Sequence, residues 1–161
     1  MVRMRDVQYT VLPHNKSYIP LSFQSHHKKV LVNRMRLFIA DARSELRFAL
    51  MMYLRQEPGI QVTGIAVDAQ SLLAQVKATE PDVILVDWQL PGASMQDLLA
   101  DIRGLASPPK IVVLAVNPEV KASALAAGAD AFISKNVPSN ELLRAIRSLK
   151  KTMETKDIEE P

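Results

Sequence analysis

Pro81-Asp82-Val83-Ile84-Leu85-Val86-Asp87-Trp88-Gln89-Leu90-Pro91-Gly92 is the stretch that decides the fold of this chain. Val83 to Val86 is a short, wholly apolar run, which predicts a strand buried on both faces, as in a parallel sheet. An unpaired carboxylate inside such a strand is costly, so Asp87 belongs at its carboxyl end. Open α/β folds place their sites at that edge. Pro91-Gly92 marks the loop that follows. Asp87 read alone could equally be an Asp that starts a turn.

Two further apolar runs end in a charge. Leu37-Phe38-Ile39-Ala40 ends at Asp41, and Ala131-Phe132-Ile133-Ser134 ends at Lys135. Ile60 to Ala66 largely alternates and predicts another strand, as does Lys110-Ile111-Val112-Val113-Leu114-Ala115. Helical spacing lies between them. Leu46, Ala49, Leu50, Tyr53 and Leu54 share one face of a helix stopped by Pro58-Gly59. Asp68 caps a helix with Leu72, Leu73 and Val76, and Ser94-Met95-Gln96-Asp97 resembles a capping box before Leu98, Leu99 and Ile102. Asn117-Pro118 opens an Ala-rich helix that ends at Gly128. Pro138-Ser139 opens a last one with Leu142, Leu143, Ile146 and Leu149, read as core, since one apolar stripe is needed to cover the sheet.

Five strands alternating with five helices predict an α/β domain, a parallel sheet covered on both faces by right-handed crossovers. With strand order 2-1-3-4-5, a choice made at the level of fold, the first and third strands are neighbours, so Asp41 and Asp87 converge. A cation, either Lys135 or a divalent metal, would relieve their repulsion.

The chain has 161 residues and no cysteine, which removes disulfides and thiolate metal sites and suits a reducing compartment. No apolar window is long enough to span a membrane, and there is no secretory signal, so a cytoplasmic location is expected. The net charge of +3 is unevenly spread. Residues 1–33 hold five basic residues and Asp6, whereas the remainder holds 15 basic and 16 acidic ones. Residues 1–33 show no sustained period and are expected to be a basic, flexible extension; Val7 to Val11 alternates but is short and isolated. Five scattered cations are a weak nucleic-acid footprint, so nucleic acid is not an expected partner. The adjacent His26 and His27 have no nearby acid and read as polar chain. Residues 34–151 form the domain and 152–161 a charged tail; no output domain is expected after it.

Residues 34–151 resemble a response-regulator receiver domain of the flavodoxin-like (CheY-like) fold. The resemblance is carried by Leu37 to Asp41, by Pro81 to Gly92, and by Gly128-Ala129-Asp130-Ala131-Phe132-Ile133-Ser134-Lys135. It implies a three-layer sandwich and a role in two-component (phosphorelay) signalling, with no enzymatic activity of its own. In that family a histidine kinase is the phosphoryl source for an Asp. Mg²⁺ is held by an acidic pair after the first strand, by the acceptor and by a backbone carbonyl two residues later. A Thr or Ser ending the fourth strand and a Lys ending the fifth bind the phosphoryl oxygens. By position, the resemblance puts Asp87 at the acceptor, Asp41 at the first acid, Lys135 at the lysine, Phe132 at the aromatic switch, and the Gln89 carbonyl at the metal.

Two positions depart from that pattern. Ala42 stands at the second acid and Ala115 at the Thr/Ser. Mg²⁺ wants carboxylates in near-octahedral geometry, and phosphoryl transfer depends on charge neutralisation, so any Mg²⁺ should be weakly held and phosphorylation impaired. The expectation is an atypical receiver acting through protein–protein contacts. The alternative is an active receiver phosphorylated on Asp87. Expected partners are a sensor histidine kinase or another signalling protein, with a homodimer through the last helix and fifth strand as a further assembly. Arg43 has two open readings: an exposed helix arginine, or a cation that joins Lys135 in partly substituting for the metal at Asp41 and Asp87. A flavodoxin-like enzyme or cofactor binder finds no support, since there is no Gly-rich phosphate loop and all three His precede residue 34.

Overall fold

Strand β3 (Met35–Ala40) shows why the apolar runs form a central sheet. Its side chains alternate between two faces, and both faces are covered. Phe38 and Ala40 enter one core with Ile84, Val86, Ile111 and Val113. Leu37 and Ile39 enter the other with Leu85, Val112, Leu114 and Ile133. Its buried stretch, residues 37–40, is apolar throughout, Arg36 near the start being only partly buried, and each large side chain withdrawn from water contributes about 1.5–3 kcal/mol.

The computed structural model describes residues 34–156 and, before them, only Tyr9–Thr10 and Ile19–Pro20. The chain divides at Asn33/Arg34 into two units. In the first, β1 (Tyr9–Thr10) pairs antiparallel with β2 (Ile19–Pro20); the rest of the expected extension lies outside the described residues. The second unit alternates β3, α1 (Ser44–Arg55), β4 (Ile60–Ala66), α2 (Ala69–Thr79), β5 (Val83–Asp87), α3 (Met95–Arg103), β6 (Lys110–Ala115), α4 (Lys121–Ala126), β7 (Ala131–Ser134) and α5 (Ser139–Lys156). The sheet order is β4-β3-β5-β6-β7, all parallel, which is 2-1-3-4-5 counted within the sheet. This is the flavodoxin-like arrangement.

Leu72, Val76, Leu98, Leu99, Ile102 and Ala124 cover the Phe38 face from α2, α3 and α4. Leu54, Leu142, Leu143 and Ile146 cover the other from α1 and α5. The apolar stripe of α5 is therefore core.

Local chemistry sets most boundaries. Asp68 accepts from the Ser71 N–H at 2.7 Å, closing a capping box at α2. Ser94 accepts from the Asp97 N–H at 3.1 Å and donates its hydroxyl to the Asp97 carboxylate at 2.6 Å. Some boundaries differ from expectation. Helix α1 stops at Arg55, before Pro58, and α5 runs past residue 151 to Lys156. The segment after Asn117 begins as a 3₁₀ turn, Pro118–Val120, capped by Asn117, which accepts from the Glu119 N–H. Strand β4 carries a register shift where Leu37 pairs Val62 and Phe38 pairs Gly64, leaving Thr63 extra. The Phe38 ring fills the space a side chain at Gly64 would need.

Candidate functional site

The carboxyl ends of β3, β5 and β7 bring three of the expected residues together. Asp41 follows β3, Asp87 ends β5 and Lys135 follows β7. Strands β3 and β5 are paired, with Ala40 opposite Val86, so the two acids are neighbours. Lys135 lies two strands from β5, roughly 10 Å of sheet width, and reaches across the end of β6. Its backbone N–H donates to the Ala115 carbonyl at 2.8 Å, which fixes where the side chain starts.

The ammonium of Lys135 lies 2.7 Å from Asp41 Oδ2 and 2.9 Å from Asp87 Oδ1. All three side chains are buried, Asp41 to 1% exposure and the other two to 8%. Buried charges persist where they are paired and hydrogen-bonded, and this bridge satisfies both acids with one cation. Among the described residues, Asp41 and Asp87 are the only polar or charged ones buried as whole residues, Lys135 burying its side chain but not its backbone.

A second cation faces the same pair. Arg43 donates from its backbone N–H to Asp41 Oδ1 at 2.9 Å, and Nε and Nη2 lie 3.3 and 3.4 Å from the two Asp41 oxygens. Nη2 is also 3.7 Å from Asp87 Oδ2. The Arg43 side chain is half exposed, at 51%, while its guanidinium turns towards the two acids. Arg47, one turn on, donates to the Asp41 carbonyl at 2.6 Å. Burial pushes the Asp41 carboxyl up, but Lys135 and the Arg43 N–H and guanidinium outweigh it and hold the group below its usual range. The hydrogen bond to Asp41 in turn raises Arg43.

The remaining expected positions surround this group. Gln89 is exposed, and its N–H donates to Asp87 Oδ1 at 3.3 Å. Ala42 is exposed, and Ala115, 5% exposed, ends β6 with no hydroxyl to offer. Phe132 is partly buried against the α2–α4 core.

The donor set does not fit a firmly held Mg²⁺. Such an ion needs about six oxygens, with carboxylates free to face it. Among the described residues no three His, Cys, Asp or Glu side chains gather as a metal group. The two carboxylates present already face two cations. What the arrangement can do without a metal is hold two buried negative charges at one sheet edge in a neutral cluster.

Sequence reasoning did not find Arg47 or the cluster at the opposite edge. There Asp130 accepts from Arg103 at 2.5 Å, from Lys110 at 3.0 Å and from the Ile111 N–H at 2.8 Å. The Gly-Ala-Asp stretch that helps carry the family resemblance is thus held by structural bonds. Arg47 had a signal, since it stands four residues after Arg43 on the same helix face. Arg103 and Asp130 lie 27 residues apart with no local pattern to join them.

Comparisons with known proteins agree with the fold. The profile of the response regulator receiver domain matches residues 37–147. The uncharacterized transcriptional regulatory protein YxjL of Bacillus subtilis is 30% identical over 118 residues, 72% of this chain and 54% of that protein. Sensory transduction protein RegX3 of Mycolicibacterium smegmatis is 32% identical over 114 residues, 70% of this chain and 49% of that protein. The chain thus spans about half the length of the curated relatives it matches. The signal receiver domain of NarL from Mycobacterium tuberculosis superposes with a TM-score of 0.68 at 26% identity, covering 74% of this chain and 98% of that domain. The isolated receiver domain of RcsB from Salmonella enterica serovar Typhimurium superposes at 0.67, covering 74% and 90%; at 23% identity it shows the fold alone. With the family profile matched over residues 37–147 and the receiver fold shared with these structures, this protein belongs to the response regulator receiver domain family.

Proposed function

We propose that this receiver works as a protein–protein module of two-component signalling whose phosphoryl switch is impaired. One observation carries the reading: the acceptor-position Asp87 sits in a neutral ion cluster with Asp41, Lys135 and Arg43, while Ala42 and Ala115 replace an acid and a hydroxyl. Phosphoryl transfer rests on positioning and on neutralising the developing charge. Here the third carboxylate that would anchor a metal is missing, and so is the hydroxyl that would take a phosphoryl oxygen. The domain then presents a fixed surface to a partner, a sensor histidine kinase or another signalling protein. The relatives are named transcriptional and sensory transduction regulators, which supports a role in regulation. Among the described residues no helix is long and apolar enough to cross a membrane. The apolar stripe of α5 is spent on the core, so a homodimer through α5 and β7 would use their outward residues.

A second reading, an active acceptor, is favoured by one detail. Asp87 Oδ2 faces only Arg43 among the described residues, at 3.7 Å, beyond hydrogen-bond distance. That oxygen is the one placed to attack a phosphodonor. Incubation with a small phosphodonor and Mg²⁺, read by intact mass beside Asp87→Asn, separates the two. No gain is expected. A gain of one phosphoryl group, absent from Asp87→Asn, overturns the impaired reading.

A further inference from the structure

We propose that Arg43, together with Lys135, is a built-in replacement for a divalent cation at the Asp41–Asp87 pair, so that the chain itself sets the charge of this site. The inference rests on reading the cluster as the receiver's acceptor site.

Charge balance is the first argument. The cluster holds two carboxylates, one ammonium and one guanidinium, and is neutral as it stands. A divalent ion added to it would leave two uncompensated positive charges in a partly buried place. Without Arg43 the same cluster would carry one net negative charge and would attract a cation.

Geometry is the second argument. Lys135 closes the pair from the buried side, at 8% exposure, and Arg43 closes it from the solvent side. Arg43 is held at both ends: its N–H and its guanidinium meet the same carboxylate, and the planar fork spans Asp41 and leans on Asp87. Arg47 donates to the Asp41 carbonyl oxygen and so occupies one of its two lone pairs.

Helix chemistry is the third argument. Arg43 is the N-cap residue of α1 and makes no side-chain cap bond. Ser, Thr, Asp or Asn suits that position, and a cation there opposes the positive end of the helix dipole. Local rules broken in this way tend to mark sites where another requirement wins. The requirement visible here is the pair of carboxylates beside it.

The test is a Mg²⁺ titration of the full chain, followed by calorimetry and by the fluorescence of Trp88, the single tryptophan and the residue after Asp87. The variants are Ala42→Asp, Arg43→Ala and the two together, each checked for fold by circular dichroism. The wild type is expected to show no saturable Mg²⁺ binding. Ala42→Asp alone should gain little, because Arg43 turns to the added acid. The double variant should bind at least about tenfold more tightly than Ala42→Asp alone, a coupling of about 1.4 kcal/mol. Saturable binding by the wild type, or equal affinity of Ala42→Asp and the double variant, overturns the proposal. Phosphorylation of the wild type in chelator would defeat the impaired-switch reading and leave the tethered cation standing. Phosphorylation that requires Mg²⁺ would defeat both.

Discussion

Two ion clusters sit at opposite edges of one sheet, and they are built differently. At the amino edge, Asp130 takes Arg103, Lys110 and the Ile111 N–H, while Arg103 also donates to the Gly128 carbonyl at 2.6 Å. One acid there ties the ends of β6 and β7 to α3, and every bond runs to backbone or to a partly exposed cation. At the carboxyl edge, Asp41 and Asp87 depend on each other's cations, and Lys135 serves both. The first cluster fastens loops. The second holds charge in place, and removing any one member leaves the others unbalanced.

The largest effect should follow from Lys135→Met, which strands two buried carboxylates and should cost about 4 kcal/mol by chemical denaturation. Adding Asp87→Asn to Lys135→Met should recover at least about 1 kcal/mol, since contacting charges couple. A recovery near zero would mean that the two sites do not share the ammonium. Asp130→Ala should cost about 2 kcal/mol, because it leaves the Ile111 N–H without its acceptor. No removal of Arg103 or Lys110 should restore it, which is the contrast with the other edge.

Acid should weaken both clusters. Asp41 and Asp130 are each held below the ordinary 3.8: burial pushes both up, but their hydrogen-bonded partners outweigh it. For Asp130 the partners are the Ile111 N–H, Lys110 and Arg103. A carboxyl lowered in the folded state stabilises fully above its unfolded value and loses that contribution as pH falls through the folded one. The thermal midpoint should hold down to about pH 4 and drop below it. Asp130→Asn should show a shallower drop than wild type in the same scan. The smallest effect should be Arg43→Ala, within about 1 kcal/mol, since a half-exposed ion pair is worth little and its loss relieves the α1 N-terminus.

The fold was legible because β3, β5 and β7 carry short apolar runs that end in a charge, at Asp41, Asp87 and Lys135, while β4 alternates and β6 is an apolar run. Ser94, Asp68 and Asn117 announced their helices by capping chemistry. The extra residue at Thr63 was not legible, because a register shift depends on how β3 and β4 meet. The candidate site was half legible. Strand order brought the two acids to one edge, but whether Arg43 faced solvent or the acids turns on ångström-scale geometry at a helix start. The Asp130 anchor was invisible because its partners come from α3 and β6.

The most direct test of the account installs what the site lacks. Wild type and the variant Ala42→Asp/Arg43→Ala/Ala115→Thr are exposed to a small phosphodonor with Mg²⁺ and followed by intact mass over time. The account predicts an unmodified wild type and a variant that gains one phosphoryl group, lost again when Asp87→Asn is added. A wild type that accepts phosphoryl as fast as the variant would contradict it.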